Sequence, residues 1–316
     1  MTTVSKNQLF SIASFGVTIL FSVLLLILFT LTVSNDVAQY DLIFESIKNS
    51  ESLRDAFTNT RYEPGFTTIY YSLSFLDARV AFILLGSISI ALKYHIFQNN
   101  LRFKYLAWLC YLVIFLPNLE ASQIRTAIAS IIILYSICIP KERFNYIFNG
   151  IVATLLHLVG ILIFAYQLFK KPLIAILMII VATFFLNLFF GLLLEYIPAL
   201  YLYRANIDGA SANLLSTIYL AQSLIAVSCV LSWSLLDFKQ KKGAFLIIIG
   251  TMLFFLLNDF ASIVHRLREV SMLGVFPLLF SQKLRLTFPS LIIYLSFLYY
   301  FFYHLYFLLD EITKYI

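Results

Sequence analysis

Charge is what this sequence has least of. Only 12% of its 316 residues are Asp, Glu, Lys or Arg, about half the share in ordinary soluble domains. With 61% hydrophobic residues and a mean hydropathy of +0.92, too little polar surface remains to cover a globule of 36.4 kDa in water. A soluble enzyme and a disordered chain are both excluded. Cysteine is also scarce. Cys110, Cys138 and Cys229 lie in apolar runs without paired spacing, which excludes a disulfide scaffold and leaves redox compartment unaddressed.

Several chemical signatures are missing as well. There is no Walker-type loop, no GxGxxG, no GxSxG and no acidic pair of a metal–nucleotide site. ATP-driven pumping therefore has no support. The four histidines, His95, His157, His265 and His304, show no ligand spacing of the HExxH kind. The sequence gives no reason to expect a metal or a cofactor. No stretch between apolar runs exceeds about 45 residues, so there is no room for a soluble catalytic domain, and any chemistry must come from helix ends and short loops.

What is present is a series of apolar runs near the length of a membrane span: 9–33, 79–97, 103–119, 122–139, 144–169, 172–197, 213–236, 243–258, 269–284 and 286–309. They predict an all-α polytopic membrane protein of about 9–11 transmembrane helices, one integral domain over 1–316. The first run is too long for a signal-peptide core and reads as a first helix. The 32 Phe and 20 Tyr suit chains with aromatic belts at both interfaces. A net charge of +6 would suggest nucleic acid on a soluble domain. Here the basic residues fall mainly between spans, as in cytoplasmic loops, and no nucleic-acid partner is expected.

Basic-residue bias sets the orientation. Placing Lys6, Lys93, Arg102, Lys104, Lys141, Arg143, Lys239, Lys241, Lys242, Lys283 and Arg285 inside makes the N-terminus cytoplasmic. Residues 34–78 then form an external loop with an amphipathic segment, and 118–124, 198–212 and 258–268 are external too. The segment 144–169 resists this scheme, because Arg143 and the pair Lys170–Lys171 flank it on both sides. Either it is an ordinary tilted span that violates the rule locally, or it is a hairpin of two half-helices breaking near His157 and Gly160. Broken helices are tolerated where they are buried in protein or line a cavity.

Charge type also sorts by side. Lysine collects inside, while Arg54, Arg61, Arg79, Arg125, Arg204, Arg266 and Arg268 gather outside or near it. Arginine suits bidentate contact with phosphate or carboxylate. Some of these pair with acidic neighbours; the sharper reading is an external, membrane-level anionic ligand.

Four clusters carry candidate chemistry. In Arg61-Tyr62-Glu63-Pro64-Gly65-Phe66, Pro64 fits the first turn of a helix with Glu63 near its positive end. The run is either a plain loop-to-helix junction or a site where Glu63 takes a hydroxyl proton and Arg61 binds phosphate. Arg125, one turn inside an apolar helix, faces a partner or cavity, or else snorkels to the interface toward Glu120. His157 is either a hydrogen-bonded core residue or a base near neutral pH. In the run from Asn258 to Glu269, His265 shares a helical face with Arg268 or Glu269 while Arg266 points elsewhere. Its two arginines either form internal ion pairs or clamp a diphosphate.

In order, these pieces resemble the EpsG/Wzy family of exopolysaccharide and O-antigen polymerases. The pieces are Tyr62-Glu63-Pro64-Gly65-Phe66, then Ile124-Arg125-Thr126-Ala127-Ile128-Ala129, then Lys141-Glu142-Arg143-Phe144 leading to Ile151-Val152-Ala153-Thr154-Leu155-Leu156-His157, and finally Ile263-Val264-His265-Arg266-Leu267-Arg268. The family commonly has Phe-His followed by a small pair, where this chain has Leu156-His157-Leu158-Val159.

The resemblance implies a GT-C-like membrane glycosyltransferase in the bacterial cytoplasmic membrane. It would move a growing glycan from polyprenyl diphosphate to a sugar hydroxyl of a lipid-linked unit at the outer face. Its partners would be the polyprenyl-diphosphate-linked oligosaccharide and membrane lipid, with room for a chain-length regulator protein. His157, Glu63, Arg125 and Arg266 are the expected catalytic residues, and Arg61, Arg268, Arg204 and His265 the expected substrate-binding ones, with no metal. A lipid-linked oligosaccharide flippase would also want embedded arginine but should show internal repeats, and none is visible. A ligase using the same carrier is the other alternative.

Overall fold

The computed structural model describes residues 6–32, 37–60, 62–139, 146–165, 177, 180–181, 216–257 and 261–314. Among these the chain is all helical. The first apolar run forms α1 (Lys6–Thr32). The loop expected outside folds into three short helices, α2 (Val37–Lys48), α3 (Leu53–Thr60) and α4 (Pro64–Ser72), followed by the long α5 (Ala78–Asn100) and by α6 (Lys104–Ile114). The stretch of α1 at Ala13–Leu31, together with α5 and the last helix, α14 (Phe288–Thr313), is long and apolar enough to cross a membrane.

The segment 34–78 is more than a surface strip. Charges at helical spacing leave one apolar face on α2, and Val37, Tyr40, Phe44 and Ile47 are buried on it. Tyr40, Phe44, Phe66 and Tyr70 form an aromatic knot that fastens α2 to α4. Pro64 begins α4 and Glu63 is its N-cap residue, as the Glu-Pro-Gly sequence predicts.

A π-helical turn over Leu116–Glu120 links α6 to α7 (Ile124–Cys138). Its Glu120 is fully buried and accepts from Lys93 of α5, from the Tyr111 hydroxyl of α6 and from the Ser89 hydroxyl at 3.1 Å. Lys93 is therefore a buried residue of α5, paired with Glu120, and not an inside-loop marker. Lys242 departs from the inside-loop role in the same way: it is buried, and its ammonium donates to the carbonyls of Ser136 and Ile139 at the end of α7. That placement satisfies carbonyls a helix end leaves open and opposes the negative end of its dipole.

Of the two readings of 144–169, the described residues 146–165 take the broken one, with the interruption at His157. Helix α8 (Tyr146–Leu156) stops at His157, whose extended backbone (φ −165°, ψ 143°) cannot continue it. A 3-10 turn over Leu158–Ile161 leads into the short α9 (Leu162–Ala165). The chain then runs back along α8. A Cβ on Gly160 would strike the backbone of Ala153 and Thr154, and one on Gly150 would sit 2.9 Å from the Phe164 ring. Such contacts require antiparallel arms. His157 is thus the tip of a re-entrant hairpin, packed on α7. Fifteen residues give α7 a rise of about 22 Å, shorter than a hydrocarbon core of about 30 Å.

The second half contributes α10 (Thr217–Leu231), α11 (Phe238–Leu256), α12 (Ala261–Ser271) and α13 (Val275–Phe280) before α14. The apolar run 269–284 is not one helix: α12, a 3-10 turn at Met272–Gly274 and α13 share it. Gly243 and Gly250 of α11 lie directly on Gly274 and Ser271, so backbones touch where small residues permit it. This close seam fixes where α12 presents its charges.

Candidate functional site

Three of the expected catalytic residues converge. The Glu63 carboxylate accepts from Arg125 Nη1 at 2.7 Å through Oε2, and its Oε1 accepts from the backbone N–H of Leu158 at 3.4 Å. The first bond ties α4 to α7, the second ties α4 to the hairpin tip. Gly65 makes this possible, since any Cβ there would sit 2.8 Å from the Leu155 carbonyl oxygen at the end of α8. Glu63, Arg125 and His157 are all buried.

The Arg125 guanidinium lies over the Tyr62 ring, 4.1 Å from its centroid, with the Phe66 centroid at 5.8 Å. Burial pushes the Tyr62 phenol up, with Arg125 pulling the other way, so the ring under the cation stays neutral. A desolvated guanidinium gains more from such a ring than an exposed one does. Arg125 therefore does not snorkel toward Glu120, which is taken by Lys93.

His157 shows a defined donor and acceptor pattern. Its Nδ1 accepts from the N–H of Val159 at 3.2 Å, which leaves the proton of a neutral ring on Nε2. That Nε2 is buried and has no partner among the described residues. Arg125 and Arg266 both lie near enough for their charges to act on it.

Arg266 and Arg268 sit two residues apart on α12 and so face opposite ways. Arg266 donates to the Gln123 side-chain oxygen at 3.2 Å, and the Gln123 amide donates to Glu269 at 3.1 Å. Gln123 immediately precedes α7, so this relay joins α12 to the Arg125 cluster. His265 and Arg268 turn the other way. His265 Nδ1 is 2.9 Å from the Tyr219 hydroxyl, and the Arg268 guanidinium lies over the Tyr219 ring at 4.4 Å. The sequence pattern placed His265 and Arg268 on one face and Arg266 on another, and so they are. Arg61 and Arg204 lie outside the described residues.

Residues that sequence reasoning did not select also matter here. Tyr62 and Gln123 stand inside the quoted motifs, and only their contacts reveal their use. Tyr219 had no signal at all, being one of 20 tyrosines. Lys93 and Glu120 were legible in principle as charges within or beside apolar runs, where a partner is expected.

The family model described as the EpsG family matches residues 13–316, nearly the whole chain. No curated protein and no solved structure matches.

Proposed function

This chain belongs to the EpsG family, and from that premise we propose that it is a metal-independent polysaccharide polymerase. It transfers a growing glycan from polyprenyl diphosphate to a sugar hydroxyl of a lipid-linked repeat unit. The reaction takes place at the outer face of the bacterial cytoplasmic membrane, with the N-terminus inside, residues 34–78 outside and a separate protein free to set chain length. One observation carries this reading: a buried carboxylate, a buried guanidinium and the tip of a re-entrant hairpin meet at Glu63, Arg125 and His157.

The chemistry follows from what each group has to offer. Attack of an acceptor hydroxyl on the anomeric carbon forms a C–O bond, breaks the bond to the diphosphate and releases one proton. Glu63 is the base, because its carboxylate keeps lone pairs beyond those used by Arg125 and Leu158. His157 is a weaker choice, since the nitrogen that would accept a proton already holds the Val159 N–H. Its Nε2–H instead donates to a substrate oxygen.

Proton uptake and leaving-group stabilisation are then coupled. As Glu63 is protonated, Arg125 loses its counter-charge at the moment negative charge develops on the departing diphosphate. Arg125, with Arg266 beside it, therefore binds the transition state more tightly than the ground state, which is the condition for catalysis. Arg61 and Arg204 are assigned to the substrate's anionic and sugar groups, and Arg268 and His265 to its binding away from the reacting centre.

The test uses purified protein with its lipid-linked repeat unit, scored for an oligomer ladder and released lipid diphosphate. Wild type forms both. Glu63→Gln, which keeps the shape but removes the base, lowers turnover by about 10²–10⁴-fold with little change in KM. A wild-type protein that yields no ladder, or a glutamine variant with undiminished turnover, defeats the assignment.

A further inference from the structure

The two arginines of α12 differ in one respect that bears on what the protein binds. Arg266 is half-buried and hydrogen-bonded to Gln123. Arg268 is only 7% exposed, yet among the described residues it makes no ion pair, and its Nε has no hydrogen-bond partner. Its guanidinium lies over the Tyr219 ring. Arg125, by contrast, is neutralised by Glu63. A guanidinium held out of water without a carboxylate is costly, and in apolar surroundings such a charge marks a site for an anion.

The surroundings suit one. Tyr219 belongs to α10, and its hydroxyl meets His265 at 2.9 Å. From α14, His304 packs against Tyr300 in a tilted pair with ring centroids 4.6 Å apart, and its Nε2 is buried without a partner among the described residues. Arg268 is close enough to act on the charge of both Tyr300 and His304, and Glu269 acts on Tyr300 as well. Unspent donors from α12 and α14 thus stand beside the rings of Tyr219 and Tyr300. The two helices that close this region, α10 and α14, pack on each other. Their outer faces carry exposed Leu220, Leu224, Phe302 and Tyr303, the surface expected toward lipid chains.

We propose that Arg268, Tyr219, His265 and His304 form a second anion site, on the face of α12 opposite Arg266, that takes the phosphate of a lipid headgroup. It rests on the functional reading in that this chain handles lipid-borne phosphate, and it adds a location separate from Glu63 and Arg125. Bulk phospholipid and the polyprenyl diphosphate carrier share the recognised chemistry. The planar fork of arginine suits phosphate oxygens, and the Tyr219 ring holds that fork in place.

The experiment follows thermal unfolding and lipid retention in native mass spectrometry. The full chain, delipidated in detergent, is titrated with phosphatidylglycerol, with a polyprenyl diphosphate and with diacylglycerol as the phosphate-free control. Both phosphate lipids, or the diphosphate alone, raise the wild-type midpoint, and diacylglycerol does not. Arg268→Gln, which removes a buried charge that has no ion pair among the described residues, unfolds no earlier than wild type without lipid and binds at least tenfold more weakly. Arg268→Lys keeps the charge but loses the fork, and binds several-fold more weakly; it carries the test alone if the glutamine variant does not fold. Retention of both phosphate lipids assigns the site to bulk phospholipid, and retention of the diphosphate alone assigns it to the carrier. Binding that is unchanged in both variants, or matched by diacylglycerol, overturns the site. Arg268-dependent binding without an oligomer ladder defeats only the polymerase reading; a ladder with Arg268-independent binding defeats only this one.

Discussion

At the scale of single residues, pairing decides which charges are available. Arg125 and Glu63 hold each other in a buried bond at 2.7 Å, so each is costly without the other. Arg125→Met leaves a buried carboxylate unpartnered and costs about 3–5 kcal/mol, while Glu63→Gln combined with Arg125→Met recovers much of that loss; denaturant unfolding in detergent measures both. His265 supplies a pH signature. Burial, and then Arg268, push its pKa down, in a helix outside the membrane-crossing set. Between the ordinary imidazole value of about 6.5 and this depressed value, the unfolded chain binds the extra proton. Its contribution is therefore full above the ordinary value and lost as pH falls below it. Thermal midpoints of His265→Gln should decline less than those of wild type on acidification through that window; equal slopes would remove His265 from the account. The groups facing it are the Tyr219 hydroxyl and Arg268.

At the scale of elements, the site depends on two departures from regular helix. One is the π-helical turn at Leu116–Glu120, where Lys93, Tyr111 and Ser89 hold Glu120 and α7 begins with Gln123 and Arg125 aimed into the protein. Such turns recur at functional sites. The other is the hairpin tip at His157. Gly160 lies against the Ala153–Thr154 backbone, so Gly160→Val must part the two arms. It should cost about 1–3 kcal/mol and move His157 away from Glu63. Oligomer synthesis should then fall far more than the stability loss explains, whereas Gly16→Ala, at a position with open space around it, should change neither.

At the scale of the whole molecule, topology follows from the hairpin. Because α8 and α9 run back along each other, the chain before and after them should lie on one side of the membrane. Arg143→Cys and Lys170→Cys should label with a membrane-impermeant thiol reagent from the same side, the cytoplasmic one. The native Cys110, Cys138 and Cys229 are buried and give little background. Labelling from opposite sides would restore an ordinary span and invert every later loop.

Hydropathy and composition alone determined that this is an all-helical membrane protein. The order of four short motifs determined its family, because backbone propensity, apolar length and local pattern are written residue by residue. The hairpin was half legible, since like charges on both flanks of one apolar run cannot satisfy a single crossing. Tertiary structure decided the rest. It gave Arg125 to Glu63 and Lys93 to Glu120, two pairings separated by 62 and 27 residues that no local rule can match. Among the described residues it also left Arg268 without an ion pair, because neutralisation is a property of which helices touch and not of which residues are present.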